Sequence, residues 1–465
     1  MPRTLILPLI VACALFMENM DATVIATSLP VLARDLGQNP ITLKLALTAY
    51  VVGLGVFIPV CGWVADRFGA RSVFQSAIGV FMLGSLLCAA SSTLGEFVAA
   101  RFLQGVGGAM MVPVGRIIIF RAVPRSEMVK AISYLTLPAL FGPVIGPPLG
   151  GFITTYFHWR WIFLINIPVS LLGIYLAARF IENTREPSAS ALDVPGFILS
   201  ASGSSFAMCG LALLGSSHLV PLWFALSLTA LGALLMYAYF RYARRTAAPL
   251  LDLRLLQIPT FRASVLGGSL FRIGLGAVPF LLPLALQEGL GMNAFESGTI
   301  TCASAFGAMF MKSIGPRVLR RYGFRNVLMV NAVLAGLAIA SYGLFTSAMP
   351  HLLLLAIVAL GGFFPSLQFT CLNSVVYADI VSADAGRATS FASVVQQLSL
   401  GLGVIVAGIT LQASNHIQGH THIEMADFWP AFVLLGLFSV ASILITRRLP
   451  ADAGHAMAQG ETRAA

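Results

Sequence analysis

Charge is what this sequence has least of. Of its 465 residues only 10% are Asp, Glu, Lys or Arg, whereas 58% are hydrophobic. A soluble domain carries roughly 25% charged residues, so a soluble globular protein of this size is excluded. Cysteine is sparse as well: Cys13, Cys61, Cys88, Cys209, Cys302 and Cys371 all lie inside apolar runs. They show neither metal-ligand spacing nor a disulfide framework and read as buried thiols. A Walker-type glycine loop is missing, as is any polar stretch large enough for a nucleotide domain, which excludes a primary pump. The apolar runs hold no nucleophile–base pair and no metal-ligand cluster, so neither an enzyme, a cofactor nor a metal centre is expected.

What the chain has in abundance is apolar runs of about 20 residues, the length that crosses the hydrocarbon core of a bilayer. They predict fourteen helical spans near 5–30, 42–64, 72–92, 96–119, 131–155, 161–181, 194–215, 220–240, 261–286, 296–316, 326–346, 351–377, 388–412 and 428–446. The opening Met1-Pro2-Arg3-Thr4 runs into an apolar stretch with acids in its middle, which reads as a retained first span rather than a cleavable signal. The net charge of +10 would suit nucleic acid, but the location of the charges excludes it. With both termini cytoplasmic, 21 of the 28 Lys and Arg fall in cytoplasmic loops and only Arg34, Lys44 and Arg160 in the opposite loops. That asymmetry is the positive-inside pattern and predicts an inner-membrane protein with cytoplasmic ends.

Arg67-Phe68-Gly69-Ala70-Arg71 and Arg321-Tyr322-Gly323-Phe324-Arg325 share the pattern Arg-aromatic-Gly-x-Arg, 254 residues apart. If spans 7 and 8 are an inserted pair, these loops occupy matching places in two six-helix halves, as in transporters built from parallel repeats. The expected organisation is a bundle over 1–182, an inserted pair with its linkers over 183–258, a second bundle over 259–450, and a disordered cytoplasmic tail over 451–465.

Several stretches carry chemistry. Gly62-Trp63-Val64-Ala65-Asp66-Arg67-Phe68-Gly69-Ala70-Arg71 joins spans 2 and 3. Gly62 would let helices approach, Gly69 would permit the tight turn, and Asp66 would either cap a neighbouring helix or pair with an arginine. A plain solvated turn competes with that reading. In span 5, Gly142-Pro143-Val144-Ile145-Gly146-Pro147-Pro148-Leu149-Gly150-Gly151 places glycines at i, i+4 and i+8, a smooth stripe for close helix contact on a proline-bent helix. In span 4, Arg101-Phe102-Leu103-Gln104-Gly105 strands an arginine in apolar surroundings, a cost of a few kcal/mol unless it finds a partner. In span 1, Glu18 and Asp21 stand at i and i+3 of Met17-Glu18-Asn19-Met20-Asp21-Ala22-Thr23 and share one helix face. Two carboxylates this close in low dielectric repel, and a proton taken up by one relieves both.

These stretches together resemble the major facilitator superfamily, in its fourteen-span drug:proton antiporter branch (EmrB/QacA type), over nearly the whole chain. Arg272-Ile273-Gly274 and Met311-Lys312 give it an MdtD-like multidrug-exporter flavour, and Trp159-Arg160-Trp161-Ile162-Phe163-Leu164-Ile165-Asn166-Ile167-Pro168 matches a further hallmark. The resemblance implies an all-α membrane protein of two six-helix bundles plus two helices, exporting drug-like lipophilic molecules against a proton influx. It implies that Asp21 couples to protons with Arg101 involved, that the span 5 stripe seals the transporter against leak, and that Asn166 faces inward. Ala70 stands where the branch usually has a basic residue, and Glu18 where an uncharged polar one is usual.

On this reading Asp21, then Glu18, with Arg101, form the proton-coupling group. Arg272, Asn166, Gln104, Tyr134, Phe271, Asn373, Gln396 and Gln397 are candidate cavity liners, with packing or interhelical hydrogen bonding the competing role for most of them. Arg116 and Lys312 lie nearer span ends and read equally as snorkelling side chains. Spans hold Arg101, Arg116, Arg272 and Lys312 against Glu18 and Asp21, a cation excess that suits anionic metabolites such as organic acids or their metal chelates as an alternative substrate class. A non-transporting receptor on the same scaffold is a third reading. The expected partners are a small molecule, protons and lipid, with the protein a monomer; a periplasmic adaptor is left open. The outer loop from His416 to Glu424 reads as an ordinary polar loop rather than a metal site.

Overall fold

The computed structural model describes residues 3–123, 128–183, 192–214, 219–246, 249–380, 385–420 and 422–450; of the side chains of 3–5, 128–133, 136–140, 316 and 385–386 nothing is said. The expected tail over 451–465 and most of the first linker, 184–191, lie outside the described residues. Among the described residues every regular element is helical.

Fourteen long helices follow in order: α1 Arg3–Asp35, α2 Pro40–Phe68, α3 Ala70–Ala90, α4 Leu94–Ala122, α5 Met128–Tyr156, α6 Trp161–Phe180, α7 Val194–Leu213 and α8 Leu222–Ala243. Then come α9 Pro259–Gly289, a continuous stretch Ala294–Ser341 broken at Gly323, α12 His351–Val375, α13 Ala385–Gln418 and α14 Met425–Thr446. We number the two arms of the broken stretch α10 (294–322) and α11 (324–341). Among the described residues, twelve stretches are long and apolar enough to cross a membrane. The other two expected spans coincide with α5 and α10.

The turns of the repeated loops are built alike. Gly69 between α2 and α3 has φ 94°, and Gly323 between α10 and α11 has φ 71°. Any other residue resists that left-handed backbone, so the repeated Arg-aromatic-Gly-x-Arg pattern marks two equivalent reversals of direction.

The chain divides into two compact units, Met1–Tyr239 with Asn293–Gly298, and Phe240–Met292 with Thr299–Ala465. In the first, α1 lies along α5. The glycine stripe makes this possible: Gly142 packs on Asn19 and Met20, Gly146 on Thr23, and Gly150 on the Val24 carbonyl and Thr27. Thr23 Oγ1 also donates to the Gly142 carbonyl at 3.4 Å and Thr27 Oγ1 to that of Pro147 at 3.4 Å. Helices α7 and α8 group with this unit, where Phe197 of α7 meets Phe57 of α2 edge-on at 6.0 Å. Lys44, expected in an outer loop, is instead fully buried in the first turn of α2, its ammonium reaching the Leu214 carbonyl at the end of α7 at 3.4 Å. A helix end leaves its last carbonyls unpaired, and the lysine stem reaches one of them.

In the second unit α9 is irregular. Wide turns at Ala263–Gly267 and Ala285–Gly289 flank the regular segment Gly268–Gly276, and Pro283 removes a backbone donor. Phe271 on that segment is fully buried in an apolar core with Met311, Leu328, Leu367, Cys371 and Leu372. Of the two roles open to it, this is packing within its own unit.

Candidate functional site

Polar residues from four helices of the first unit converge on Asp21. Arg101 of α4 donates from Nη1 to Asp21 Oδ2 at 2.7 Å, with both side chains almost wholly buried. Gln104, one turn further along α4, donates from Nε2 to Asp21 Oδ1 at 2.9 Å, and Asn166 of α6 donates to the same oxygen at 3.0 Å. Ser85 of α3 accepts from both amides, at 2.8 Å from Gln104 and 3.2 Å from Asn166. Arg101 Nη1 also donates to Gln104 Oε1, and its guanidinium stacks 4.4 Å over the Tyr50 ring of α2. The local cause is spacing: Arg101 and Gln104 at i and i+3 on α4 face α1 together.

A charged pair in a dry interior persists only when the remaining donors and acceptors are matched. Here both oxygens of Asp21 are, whereas Arg101 Nε and Asn166 Oδ1 are buried without a hydrogen-bond partner. Glu18 is outside it. One turn earlier on the same helix face, its Oε2 is buried without a hydrogen-bond partner.

The gate motif forms a second polar group. Asp66 pairs with Arg121 at the end of α4, Oδ1 to Nη2 2.5 Å, and both are about one-third exposed. Of the two roles expected for Asp66, this geometry is the ion pair. Arg71 donates to the Ile181 carbonyl at the end of α6 at 3.4 Å, while Asn183 accepts from Ser72 N at 3.3 Å, so α3 and α6 cap one another. Gly69 sits directly against the Asn183 side chain. Arg67 is exposed. Gly62 departs from expectation: a Cβ there would meet nothing within 4 Å, so this glycine does not serve close helix approach. Gly151 abuts the backbone of Ala294 within the same unit, and Pro143 and Pro147 lie in α5 next to the stripe glycines.

In the second unit Arg272 is 2% exposed, and Nη2 donates to Asn373 Oδ1 at 3.1 Å. Its guanidinium lies 5.6 Å from the Phe369 ring centroid, and Nε finds no partner. Among the described residues no carboxylate is paired with it. Asn373 itself is exposed, Gln396 and Gln397 are partly buried on α13, and Tyr134 is partly buried on α5. Arg116 and Lys312 are exposed, in keeping with snorkelling. On the loop between α13 and α14 His420 pairs with the buried Asp427 at 3.0 Å, and among the described residues no group of three His, Cys, Asp or Glu could hold a metal.

Sequence reasoning did not single out Tyr50 or Ser85, although both shape the Asp21 network. Tyrosine and serine are ordinary span residues, and only their convergence distinguishes them. It also missed Asp35, which accepts from Trp159 Nε1 at 2.7 Å and Arg160 Nη1 at 3.1 Å and ties α1 to the start of α6.

Among the described residues, fourteen long helices with exposed apolar side chains and buried polar clusters define a polytopic membrane protein. Comparison with known proteins identifies the family. The Major Facilitator Superfamily profile matches residues 11–261 and 264–464, so the chain belongs to the major facilitator superfamily. It is 37% identical over 452 residues to the "Putative multidrug resistance protein MdtD" of Salmonella typhimurium strain LT2, covering 95% of this chain and 94% of that one. The protein of the same name from Yersinia enterocolitica is likewise 37% identical over 452 residues, covering 96% and 95%. In fold the chain is similar to the POT family transporter PepTSo, with TM-score 0.71, 15% identity and coverage of 96% and 98%. A D-xylose–proton symporter gives TM-score 0.70 at 15% identity, covering 97% of this chain and 98% of the other.

Proposed function

We propose that this transporter is a proton-driven antiporter of the cytoplasmic membrane, with both termini inside, exporting small drug-like molecules by alternating access. The observation that carries the reading is the buried ion pair of Asp21 and Arg101. An exporter driven by protons needs a carboxylate that is sequestered from bulk water and whose ionisation changes what its neighbours bind. Protonating Asp21 removes the charge that holds Arg101, Gln104 and Asn166 together and frees three donors at once, which gives the bundle two discrete arrangements. The relatives named for multidrug resistance support export of lipophilic compounds, and the cation-rich loops support the orientation. The gate pair Asp66–Arg121 supports a latch at the cytoplasmic ends of α2 and α4, and the stripe on α5 a tight seal along α1.

The test is proteoliposome exchange under an imposed pH gradient, with ethidium as probe, comparing wild type with Asp21→Asn. The substitution is expected to abolish pH-driven exchange, and retained exchange overturns the assignment.

A second reading concerns substrate charge. Among the described residues Arg272 is buried without a paired carboxylate, beside an exposed Asn373, and a guanidinium in that situation is completed by an anionic group. On this reading organic anions are exported beside or instead of lipophilic cations. Transport of labelled succinate that is unchanged in Arg272→Ala vesicles rejects it.

A further inference from the structure

The segment that joins α8 to α9 carries charge that neither the Asp21 network, the gate pair nor Arg272 uses. Residues 241–262 hold Arg241, Arg244, Arg245, Arg254 and Arg262 against the single acid Asp252. All five arginines are exposed. Asp252 is instead buried: its Oδ1 accepts from Arg254 N at 3.0 Å, and its Oδ2 faces Arg387 of α13 at 3.9 Å. Among the described residues Arg244, Arg245, Arg254 and Arg262 make no ion pair.

Packing decides which way the linker presents its charge. Leu251, Leu255 and Phe261 are buried, and Phe261 meets Phe391 of α13 edge-on at 5.6 Å. Beside it Thr260 donates to Asp379 Oδ2 at 2.9 Å. The apolar side of the linker is thus held against its own unit, and Arg254 and Arg262 are left on the outside.

Helix α8 brings the other three arginines on a face that is exposed along its length. Trp223, Leu226, Ala230, Leu234, Tyr237 and Arg241 follow at steps of three or four, and all are exposed. The last turn carries on to Arg244, whose N–H donates to the Phe240 carbonyl at 3.3 Å. The opposite face packs on α7, with Gly232 against Ala207 and Gly203 against Met236. Apolar side chains that face outwards from a span meet acyl chains, and tryptophan and tyrosine settle at the interfaces. One turn beyond Tyr237, Arg241 stands about 6 Å further along the helix, at the depth of the lipid phosphates. Topogenic charge alone would need neither a pinned linker nor a lipid-facing stripe that runs into arginines.

We propose that the end of α8 and the linker to α9 form a headgroup site for anionic phospholipids. Acyl chains lie along the exposed face of α8, and the negative headgroups are held by the five arginines. Net charge is what selects the lipid. A zwitterionic headgroup brings its own ammonium up to the guanidinium groups, whereas phosphatidylglycerol brings the phosphate alone. Each basic residue at a charged bilayer surface contributes about fivefold in affinity, so several together discriminate clearly between the two.

The test uses the full chain in phosphatidylcholine vesicles doped with a photoactivatable phosphatidylglycerol, or with phosphatidylcholine carrying the same reactive tail, followed by peptide mapping. In wild type the anionic probe is expected to label residues 223–262 about tenfold more than the zwitterionic one. In Arg244→Gln/Arg245→Gln/Arg254→Gln/Arg262→Gln that excess is expected to disappear. The variant with lysine at the same four positions keeps the charge and the membrane orientation, and is expected to keep most of the labelling. Equal labelling by the two probes in wild type overturns the proposal, as does a glutamine variant labelled as well as wild type. A lysine variant that loses as much as the glutamine one also overturns it, because the loss then reports folding and not charge. Glycerol phosphate in excess is expected to leave the labelling unchanged, and displacement by it overturns the lipid assignment in favour of a soluble phosphate.

Discussion

Arg101 and Asp21, eighty positions apart in the chain, meet at 2.7 Å with their side chains 1% and 2% exposed. Neither would be tolerated alone at that depth. Removing one partner of a buried pair costs about 3–5 kcal/mol because the other charge stays behind, whereas replacing both with apolar groups is often neutral. Asp21→Asn and Arg101→Met are therefore each expected to lower the melting temperature of the detergent-purified protein clearly. The double variant Asp21→Asn/Arg101→Met is expected to recover much of the loss while remaining inactive in pH-driven exchange. Strictly additive destabilisation in a thermal unfolding series would show that the two charges are not coupled.

The glycines of the α5 stripe and Gly62 of the α2–α3 motif are expected to respond differently to the same substitution. At Gly146 an added methyl meets the Thr23 side chain, and at Gly150 it comes within 2.5 Å of the Val24 carbonyl. The helices would have to part, so Gly146→Ala and Gly150→Ala are expected to destabilise by about 1–3 kcal/mol. Gly62→Ala enters open space and is expected to fall within about 0.5 kcal/mol of wild type. Thermal shifts of the three proteins decide; a Gly62→Ala defect as large as that of Gly146→Ala contradicts the packing described.

Asp66 and Arg121 form an ion pair that is partly open to solvent, and such pairs contribute about 0–1 kcal/mol to stability. Their use lies in which arrangement of the helices they favour. Asp66→Arg and Arg121→Asp are each expected to leave the melting temperature almost unchanged yet slow transport. The swap Asp66→Arg/Arg121→Asp is expected to restore a substantial part of the rate. Initial rates in proteoliposomes test this, and a swap no faster than the single variants would show that the pair is incidental.

What could be read in advance follows from how unusual each residue is in its surroundings. Asp21, Arg101, Gln104 and Asn166 are polar residues stranded in apolar spans, and the two charged ones had to find partners; the structure joins all four. The spans themselves were legible because about 20 apolar residues have few alternative fates. Tyr50 and Ser85 were not, since nothing local separates a site tyrosine from a packing one. Phe271 was open between lining and packing, since an aromatic in a span suits either, and the structure buries its ring in the core of its unit. Gly62 belongs to a sequence motif whose packing use is not expressed in this arrangement of the helices. Lys44 misled because a lysine at the edge of a span normally reaches water, and only the docking of α7 beside α2 turns it inward.

That docking gives the last prediction. Lys44 is completely buried, and its ammonium has the Leu214 carbonyl within 3.4 Å. A lysine here contributes a favourable contact with the negative end of α7 and incurs the cost of desolvating its charge; the two effects oppose. Lys44→Met keeps the length of the stem and removes both, so its stability is expected to stay within about 1 kcal/mol of wild type. Lys44→Glu has neither compensation: a carboxylate would be buried against unpaired helix carbonyls, repelled by the same dipole that attracts lysine. It is expected to destabilise by several kcal/mol or to loosen α7 from α2. A cysteine pair bridging α2 and α7 near Phe57 and Phe197, whose rings stand 6.0 Å apart, reports the loosening directly. Cross-linking is expected to persist in Lys44→Met and to fall in Lys44→Glu, and equal cross-linking in both would mean that Lys44 has no part in holding the two helices together.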